Sequence, residues 1–174
     1  MAIYEFEGHR PTIASSSFIS DTAVVLGQVI IGEHVFVGPG AVIRGDWGKI
    51  IVGNCTNLQD NCVLHVRPDD QLIIGDNCRI AHGAVIHNCV LKDGVTVGMN
   101  GVVSDFAEIG EWTLLGEGTV VPMRTIIPAR KVVVGVPGKI VGDVTEKHME
   151  YVLWSNKIYT ELAGRMLKSC HRID

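Results

Sequence analysis

Aliphatic residues recur along the chain at every sixth position over long stretches. The longest unbroken run has seven such positions: Val97, Val103, Ile109, Leu115, Val121, Ile127 and Val133. An amphipathic α-helix repeats its apolar residues every three to four positions, and a half-buried strand repeats them every second position. A period of six instead fits one face of a triangular coil, in which a short strand is followed by a corner.

Shorter runs with the same period precede this one, and we call all of these aliphatic positions ladder residues. The earlier ladder residues are Val25, Ile31, Val37, Ile43, Val52, Leu58, Leu64, Ile74, Ile80 and Ile86. Three faces close one coil of about 18 residues, and successive coils stack at the inter-strand spacing of roughly 4.8 Å. The pattern therefore predicts an all-β solenoid, the β-helix that hexapeptide repeats form.

The six-residue period is interrupted at three places. Consecutive ladder residues are nine, ten and eleven positions apart in the segments 43–52, 64–74 and 86–97. We expect each segment to contain an insertion that leaves the coil as a loop. Loops on a rigid scaffold often carry functional residues.

The ladder ends near Val133, and a different pattern follows. Asp143 with Glu146 is typical of a helix start, and apolar residues at helical spacing continue after it. A solenoid has to cover its exposed apolar surface. We therefore predict a β-helix domain over residues 1–142 and a C-terminal α-helix over 143–174 that packs along the prism.

Composition narrows the class of protein. The chain has 174 residues, is 47% hydrophobic and has a net charge of −4, so it has no basic surface that would indicate nucleic-acid binding. No segment approaches the roughly 20 apolar residues of a membrane span, and no signal peptide is visible. Two of the five cysteines, Cys62 and Cys78, stand four positions after a ladder residue, where the repeat elsewhere has small residues such as alanine and threonine. Buried free thiols are expected there. Cysteines that do not suggest disulfides are expected in a protein of the reducing cytoplasm.

The repeat places two histidines at the same position of neighbouring coils. His65 directly follows Leu64, and His87 directly follows Ile86. Their separation of 22 residues equals one coil of about 18 residues plus four residues of insertion. His82 comes two positions after its ladder residue, so we expect it around a corner on another face.

These three histidines predict a metal site shared between copies of the chain. Three neutral imidazoles without a fourth strong protein ligand are typical of an open, catalytic metal centre. One chain brings His65 and His87 together, and a neighbouring copy related by rotation can supply His82. Closed cyclic oligomers are common, and a homotrimer satisfies this geometry. Zn²⁺ is the expected metal, and Fe²⁺ or Co²⁺ also suits imidazole ligands.

Other polar residues lie on the coils that adjoin the histidines. Gln59 directly follows the ladder residue Leu58, and Asn57 directly precedes it. Arg44 and Asp46 follow another ladder residue and are expected to form an ion pair at a subunit boundary. Gln59 is expected to orient a water molecule bound to the metal.

Taken together, these motifs resemble those of the γ-class carbonic anhydrase family. They are Arg44-Gly-Asp46, Asn57-Leu-Gln59, His65, and His82 with His87 five positions later. The resemblance covers essentially the whole chain, and it extends to a branch known from phenylacetate degradation and carnitine metabolism. It implies a left-handed parallel β-helix with a C-terminal α-helix, assembled as a homotrimer.

The resemblance also implies roles for individual residues. Asn57 and Gln59 would line the site and hydrogen-bond to bound solvent or bicarbonate. Arg44 and Asp46 would bridge two subunits, and Tyr159 on the C-terminal helix would reach towards the site. His65 and His87 of one subunit and His82 of the next would bind the metal.

The reaction implied is the reversible hydration of CO₂ to bicarbonate by a lyase, with a metal-bound hydroxide as the nucleophile. The family prototype has glutamates, one of them a proton shuttle, where this chain has Trp47 and Pro68. Weak or absent anhydrase activity is therefore compatible with an intact metal site.

Three alternatives stay open at this stage. The same metal site could hydrolyse acyl-CoA thioesters, because a nucleophile that attacks CO₂ can also attack a thioester carbonyl. A hexapeptide acyltransferase would instead use a histidine as a base without a metal. A non-catalytic scaffold subunit would use neither.

Overall fold

The chain folds into a left-handed parallel β-helix of about seven turns, followed by one long α-helix, in a computed structural model that describes residues 2–173. The strands are numbered β1 to β20 in chain order: Ala2–Tyr4, Thr12–Ile13, Phe18–Ile19, Val24–Ile31, Phe36–Val37, Val42–Val52, Asn57–Leu58, Val63–His65, Gln71–Ile74, Arg79–Ile80, Val85–His87, Val90–Leu91, Thr96–Val97, Val102–Val103, Glu108–Ile109, Leu114–Leu115, Val120–Val121, Ile126–Ile127, Lys131–Val134 and Lys139–Asp143. The helix α1 spans Glu146–Ser169. The fold class predicted from the repeat is confirmed.

Parallel pairing between coils keeps the ladder residues in register. On one face β8 lies between β6 and β11, so that Leu64 pairs with Ile43 on one side and with Ile86 on the other. On a second face Leu58 of β7 pairs with Ile80 of β10. Any residue that follows its ladder residue at the same distance is therefore stacked on its counterpart one coil away.

The ladder residues fill the interior of the prism. All those named above are buried, and the most accessible of them, Ile127, is only 4% exposed. Burying a side chain of this size stabilises the fold by about 1.5–3 kcal/mol relative to leaving it in water. Cys62 and Cys78 are also completely buried, and all five cysteines are free thiols, as predicted.

Many corners of the prism use the left-handed backbone conformation. Four asparagines adopt a positive φ at these corners: Asn61 (58°), Asn77 (56°), Asn88 (46°) and Asn100 (55°). Asparagine tolerates this conformation better than most residues because its short polar side chain can hydrogen-bond locally. The corners therefore account for the asparagine that recurs between ladder positions.

The three interruptions of the period have different structures. The three extra residues of segment 43–52 form a bulge within the continuous strand β6, where Gly27 pairs with Gly45 but Val29 pairs with Ile50. The loop predicted there is therefore wrong. The loop predicted in segment 64–74 is confirmed, because the residues between β8 and β9 lie outside the strands.

The third interruption contains a strand that the six-residue period did not reveal. Leu91 is completely buried and pairs with Ile74 through β12, so it is a ladder residue. It lies five positions after Ile86 rather than six, because the corner between them is one residue shorter. The insertion predicted in segment 86–97 is therefore wrong.

The C-terminal helix begins slightly later than the sequence pattern suggested. Residues up to Asp143 form β20, which pairs antiparallel with β19. Thr145 is the N-cap of α1, where its side chain accepts a hydrogen bond from the backbone N–H of His148. The helix packs against β3, β5 and β7, with Val152 and Ala163 buried in the contact.

The helix predicted over 143–174 therefore occupies Glu146–Ser169, and position 174 lies outside the described residues. None of the described residues belongs to a helix that is both long and apolar enough to cross a membrane.

Candidate functional site

His65 and His87 lie side by side on the outer surface of one face. They are direct cross-strand partners in β8 and β11, and their ring centroids are 5.1 Å apart. Nδ1 of His65 is 3.1 Å from Nε2 of His87. The stacking that the spacing predicted is confirmed, and the two rings turn one nitrogen each towards the other.

A carboxylate holds the outer nitrogen of His65. Nε2 of His65 is 3.0 Å from Oδ1 of Asp46, and the other oxygen of Asp46 accepts a hydrogen bond from Arg44. Burial favours a higher pKa for Asp46, but the bonds from His65 and Arg44 outweigh it and hold this pKa below its usual value. The predicted ion pair of Arg44 with Asp46 is therefore present, and Asp46 is ionised at neutral pH.

A second carboxylate, which the sequence did not identify, holds the outer nitrogen of His87. Oδ1 of Asp105 is hydrogen-bonded to Nδ1 of His87, and Oδ2 accepts a hydrogen bond of 3.0 Å from Arg67. The pKa of Asp105 is also lowered, because these two partners outweigh the opposing effect of burial. Ser104, not Asp105, follows its ladder residue directly as His87 does, so the repeat did not mark Asp105 as a partner of His87.

These contacts fix which nitrogens carry hydrogen. An ionised carboxylate only accepts hydrogen bonds, so the Asp46 and Asp105 contacts each require an N–H on the outer nitrogen of a ring. Burial lowers the pKa of His65 and favours its neutral form. The facing nitrogens of neutral rings then both carry lone pairs at 3.1 Å. Only a shared proton or a bound cation between the nitrogens makes this approach favourable.

The third histidine lies elsewhere in the same chain. His82 follows β10 on the face around the corner, with Nδ1 2.8 Å from Oδ2 of Asp60 and 44% of its side chain exposed. Among residues 2–173, no three His, Cys, Asp or Glu side chains are grouped so as to hold a metal ion. The contribution of His82 to the site of a neighbouring copy therefore stays a prediction.

Two further predicted residues are buried beneath the C-terminal helix. Gln59 Nε2 donates a hydrogen bond of 2.9 Å to Oδ1 of Asn57, whose Nδ2 donates one of 3.3 Å to Asn156 on α1. Gln59 is fully buried, and its Oε1 has no hydrogen-bond partner. Asn57 lies on β7, which pairs with β10, and Gln59 directly follows β7. Both amides therefore share a face with His82 and not with the histidine pair.

Tyr159 packs on the same helix-covered face. Its ring centroid is 5.3 Å from that of Phe36, and burial raises the pKa of its hydroxyl. The predicted residues thus form two groups on adjacent faces. Arg44 and Asp46 surround the histidine pair, whereas Asn57, Gln59 and Tyr159 accompany His82.

An open cavity adjoins the histidine pair. A different cavity, near the end of the C-terminal helix, has a volume of about 390 Å³, but no histidine lines it. The cavity beside His87 measures about 340 Å³ and is lined by Val102, Val103, Ser104, Asp105 and Met123. His87 is also the more accessible of the two rings, with 35% of its side chain exposed against 14% for His65. A small substrate can therefore approach the pair from the His87 side.

Comparisons with known proteins give both a family and a fold. The family model described as "Bacterial transferase hexapeptide (six repeats)" matches residues 10–45. The carnitine operon protein CaiE of Escherichia coli strain K12 is 36% identical over 171 residues, which cover 98% of this chain and 87% of that protein. The predicted resemblance to carnitine-operon proteins is confirmed.

Two solved structures match closely. A Bacillus cereus protein proposed to be an acetyltransferase is 32% identical, with a TM-score of 0.94 over 95% of this chain and 96% of that one. A hexapeptide transferase family protein from Anaplasma phagocytophilum is also 32% identical, with a TM-score of 0.89 over 93% and 96% of the two chains. Both of these proteins carry the name of a transferase.

Proposed function

The chain belongs to the hexapeptide-repeat family that includes the carnitine operon protein CaiE, and we propose that it is an acyltransferase that acts on a CoA thioester. The histidine pair is its reacting centre. This function was an alternative in the sequence analysis, and the transferase names of two relatives now support it over carbonic anhydrase.

One observation carries the proposal. Asp46, His65, His87 and Asp105 form a continuous chain of polar contacts, in which each carboxylate holds the outer nitrogen of one ring and the two inner nitrogens face each other. A histidine that donates one N–H to a carboxylate and keeps its other nitrogen free is the arrangement of a general base. The second ring can share the proton that the first one accepts.

The reaction then proceeds by simple proton and acyl transfers. The imidazole pair removes a proton from a hydroxyl, an amine or a water molecule in the cavity beside His87. The oxygen or nitrogen so activated bonds to the thioester carbonyl carbon, and the carbon–sulfur bond breaks. The CoA thiolate leaves and takes up the proton that the imidazoles held. With water as the acceptor the same steps hydrolyse the thioester.

The centre is proposed to be completed in a homotrimer. His82 projects from the face next to the pair, and its exposed ring is available to a neighbouring copy. In a ring of three copies, each histidine pair would face the partner subunit's His82 together with the Asn57–Gln59 face. This arrangement supports a site at each subunit boundary, where Arg44 is also exposed.

The release of free CoA from short-chain acyl-CoA thioesters, with and without amine and hydroxyl acceptors, tests the proposal. We expect release by the wild type and a loss of about 10²–10⁴-fold in kcat/KM for His87→Gln. His171→Gln is the matched control, because that histidine is exposed at the end of the chain. Absence of release with every thioester and acceptor would contradict the proposal and favour a scaffold.

A metal-dependent reaction is the second candidate, and the facing lone pairs of His65 and His87 favour it. Two nitrogens bound to one zinc ion at about 2.0–2.1 Å in tetrahedral geometry lie roughly 3.3 Å apart, close to the 3.1 Å observed. A carboxylate behind each ligand is also the usual support of metal-binding histidines. Zn²⁺, or Fe²⁺ or Co²⁺, held by this pair and the partner subunit's His82 would lower the pKa of bound water.

Measurements with and without metal separate the two candidates. The metal-dependent candidate covers acyl-CoA thioester hydrolysis and CO₂ hydration, so both rates are measured on one preparation. Loss of activity with a chelator and recovery with Zn²⁺ would support it. An acyl-transfer rate that a chelator leaves unchanged would support the general-base reaction.

A further inference from the structure

The surroundings of His87 repeat those of the other histidine of the pair. Asp105 stands behind His87 as Asp46 stands behind its neighbour, and the two carboxylate side chains are 13% and 14% exposed. Arg67 and Arg44 bind the distal oxygens of these carboxylates and are 49% and 45% exposed. The sequence motif contains only the Arg44–Asp46 half of this arrangement.

The second half is built from separate parts of the chain. Arg67 comes from the loop between β8 and β9, and Asp105 comes from the corner after β14. The guanidinium of Arg67 lies 5.7 Å from the ring centroid of Phe106, and Arg124 approaches the same ring at 5.0 Å. Because Arg67 is held by both a carboxylate and an aromatic ring, it restrains Asp105 from the side away from His87.

We propose that Asp105, held by Arg67, is a positioning residue that fixes His87 in the tautomer with hydrogen on Nδ1. This role rests on the proposed function, because it presents Nε2 of His87 as the free nitrogen of the reacting pair. The carboxylate has no hydrogen to donate, so it accepts a hydrogen bond only from a protonated Nδ1. A carboxamide in its place both donates and accepts, and it would not select one tautomer.

The tautomer of His87 is the direct readout. We would record ¹⁵N NMR spectra of histidine-labelled protein above about pH 8, where imidazole is neutral. A chelator would be present so that no ion fixes the ring, and the His87 signals would be assigned by their loss in His87→Gln. The wild type is expected to show hydrogen on Nδ1 only, and Asp105→Asn a mixture of both tautomers.

Kinetics provide the second readout. Asp105→Asn is expected to lower kcat/KM for acyl transfer about 10- to 100-fold, the loss that is typical when the carboxylate behind a metal-binding histidine is replaced. Arg67→Gln is expected to give a smaller loss and keeps the proposal testable if Asp105→Asn fails to fold. Asp143→Asn is the matched control, because this substitution removes the same charge. The Asp143 carboxylate is 75% exposed and lies in the last strand.

The outcomes distinguish this role from the proposed function itself. A single Nδ1–H tautomer in Asp105→Asn, or hydrogen on Nε2 of His87 in the wild type, would overturn the positioning role, whatever the activity. A wild type that releases no CoA, combined with the expected change of tautomer, would overturn the acyl-transfer function and leave the positioning role standing.

Discussion

Nδ1 of His65 and Nε2 of His87 lie 3.1 Å apart on neighbouring coils of the β-helix. The parallel register of β8 and β11 brings the two residues together, and a carboxylate fixes the opposite nitrogen of each ring. The repeat that builds the core therefore also builds the reacting pair. The stability of the coil beneath the pair and the chemistry above it can be tested separately.

The ladder residue beneath the pair is expected to dominate local stability. Leu64 is completely buried, so Leu64→Ala leaves a cavity in the core and should lower the free energy of unfolding by about 2–5 kcal/mol. The measurement is a urea or guanidinium titration. Val63→Ala is the control, because Val63 is 36% exposed and its truncation should cost less than about 1 kcal/mol. Equal losses for both variants would contradict the assigned burial.

Cysteine reactivity is expected to follow burial. Burial raises the pKa of the Cys62 and Cys78 thiols to about 12, and it raises that of Cys89 as well. These thiols should resist an alkylating reagent at pH 8 until the protein unfolds, whereas the exposed Cys170 should react at once. Mass spectrometry of the alkylated peptides measures this. Early modification of Cys62 or Cys78 in the folded protein would contradict the packing of the core.

The same thiols predict a loss of stability in alkali. The pKa of each of these thiols is higher in the folded protein than in the unfolded chain, where it is about 8.5. The unfolded chain therefore loses the thiol proton at a lower pH than the folded protein, and above that pH the free energy of unfolding falls. The free energy of unfolding should therefore decrease as the pH rises from about 9 towards 12. Cys78→Ala should show a smaller decrease over this range. An identical decrease in the variant and the wild type would show that Cys78 does not contribute.

Asn156 is expected to fix the C-terminal helix on the prism. Its Nδ2 donates a hydrogen bond of 2.6 Å to the carbonyl of Asn77, and its Oδ1 accepts one from Asn57. Asn156→Leu removes both hydrogen bonds and leaves the carbonyl of Asn77 without this donor, so it should cost about 1–3 kcal/mol in thermal or chemical unfolding. Lys157→Leu is the neighbouring control, because the Lys157 side chain is 75% exposed and its amino group forms only a loose ion pair of 3.8 Å with Glu161 among the described residues. A destabilisation no larger than that of the control would contradict this role.

The fold was largely predictable because a strict period fixes register. The positions of His65 and His87 relative to Leu64 and Ile86 were sufficient to predict that the two rings stack. Leu91 was missed because its corner is one residue short, and a search for an exact period cannot detect a shortened corner.

The surroundings of the site were less predictable. Asp105 reaches His87 diagonally from the next coil, so its position in the repeat does not match that of the residue it contacts. The environment of Gln59 depends on where the C-terminal helix packs. A local pattern identifies the apolar stripe of that helix but not the face of the prism that it covers.

Mixed trimers of two inactive variants test the central claim, that each reacting centre combines the pair of one copy with the partner subunit's His82. His87→Gln and His82→Gln are each expected to lower the rate of CoA release by at least about 10²-fold. When equal amounts are refolded together, random assembly into closed trimers restores about a quarter of the centres. Recovery of roughly a quarter of the wild-type rate is the predicted result. A mixture as inactive as the separate variants, although its trimers are shown to be mixed, would contradict the claim.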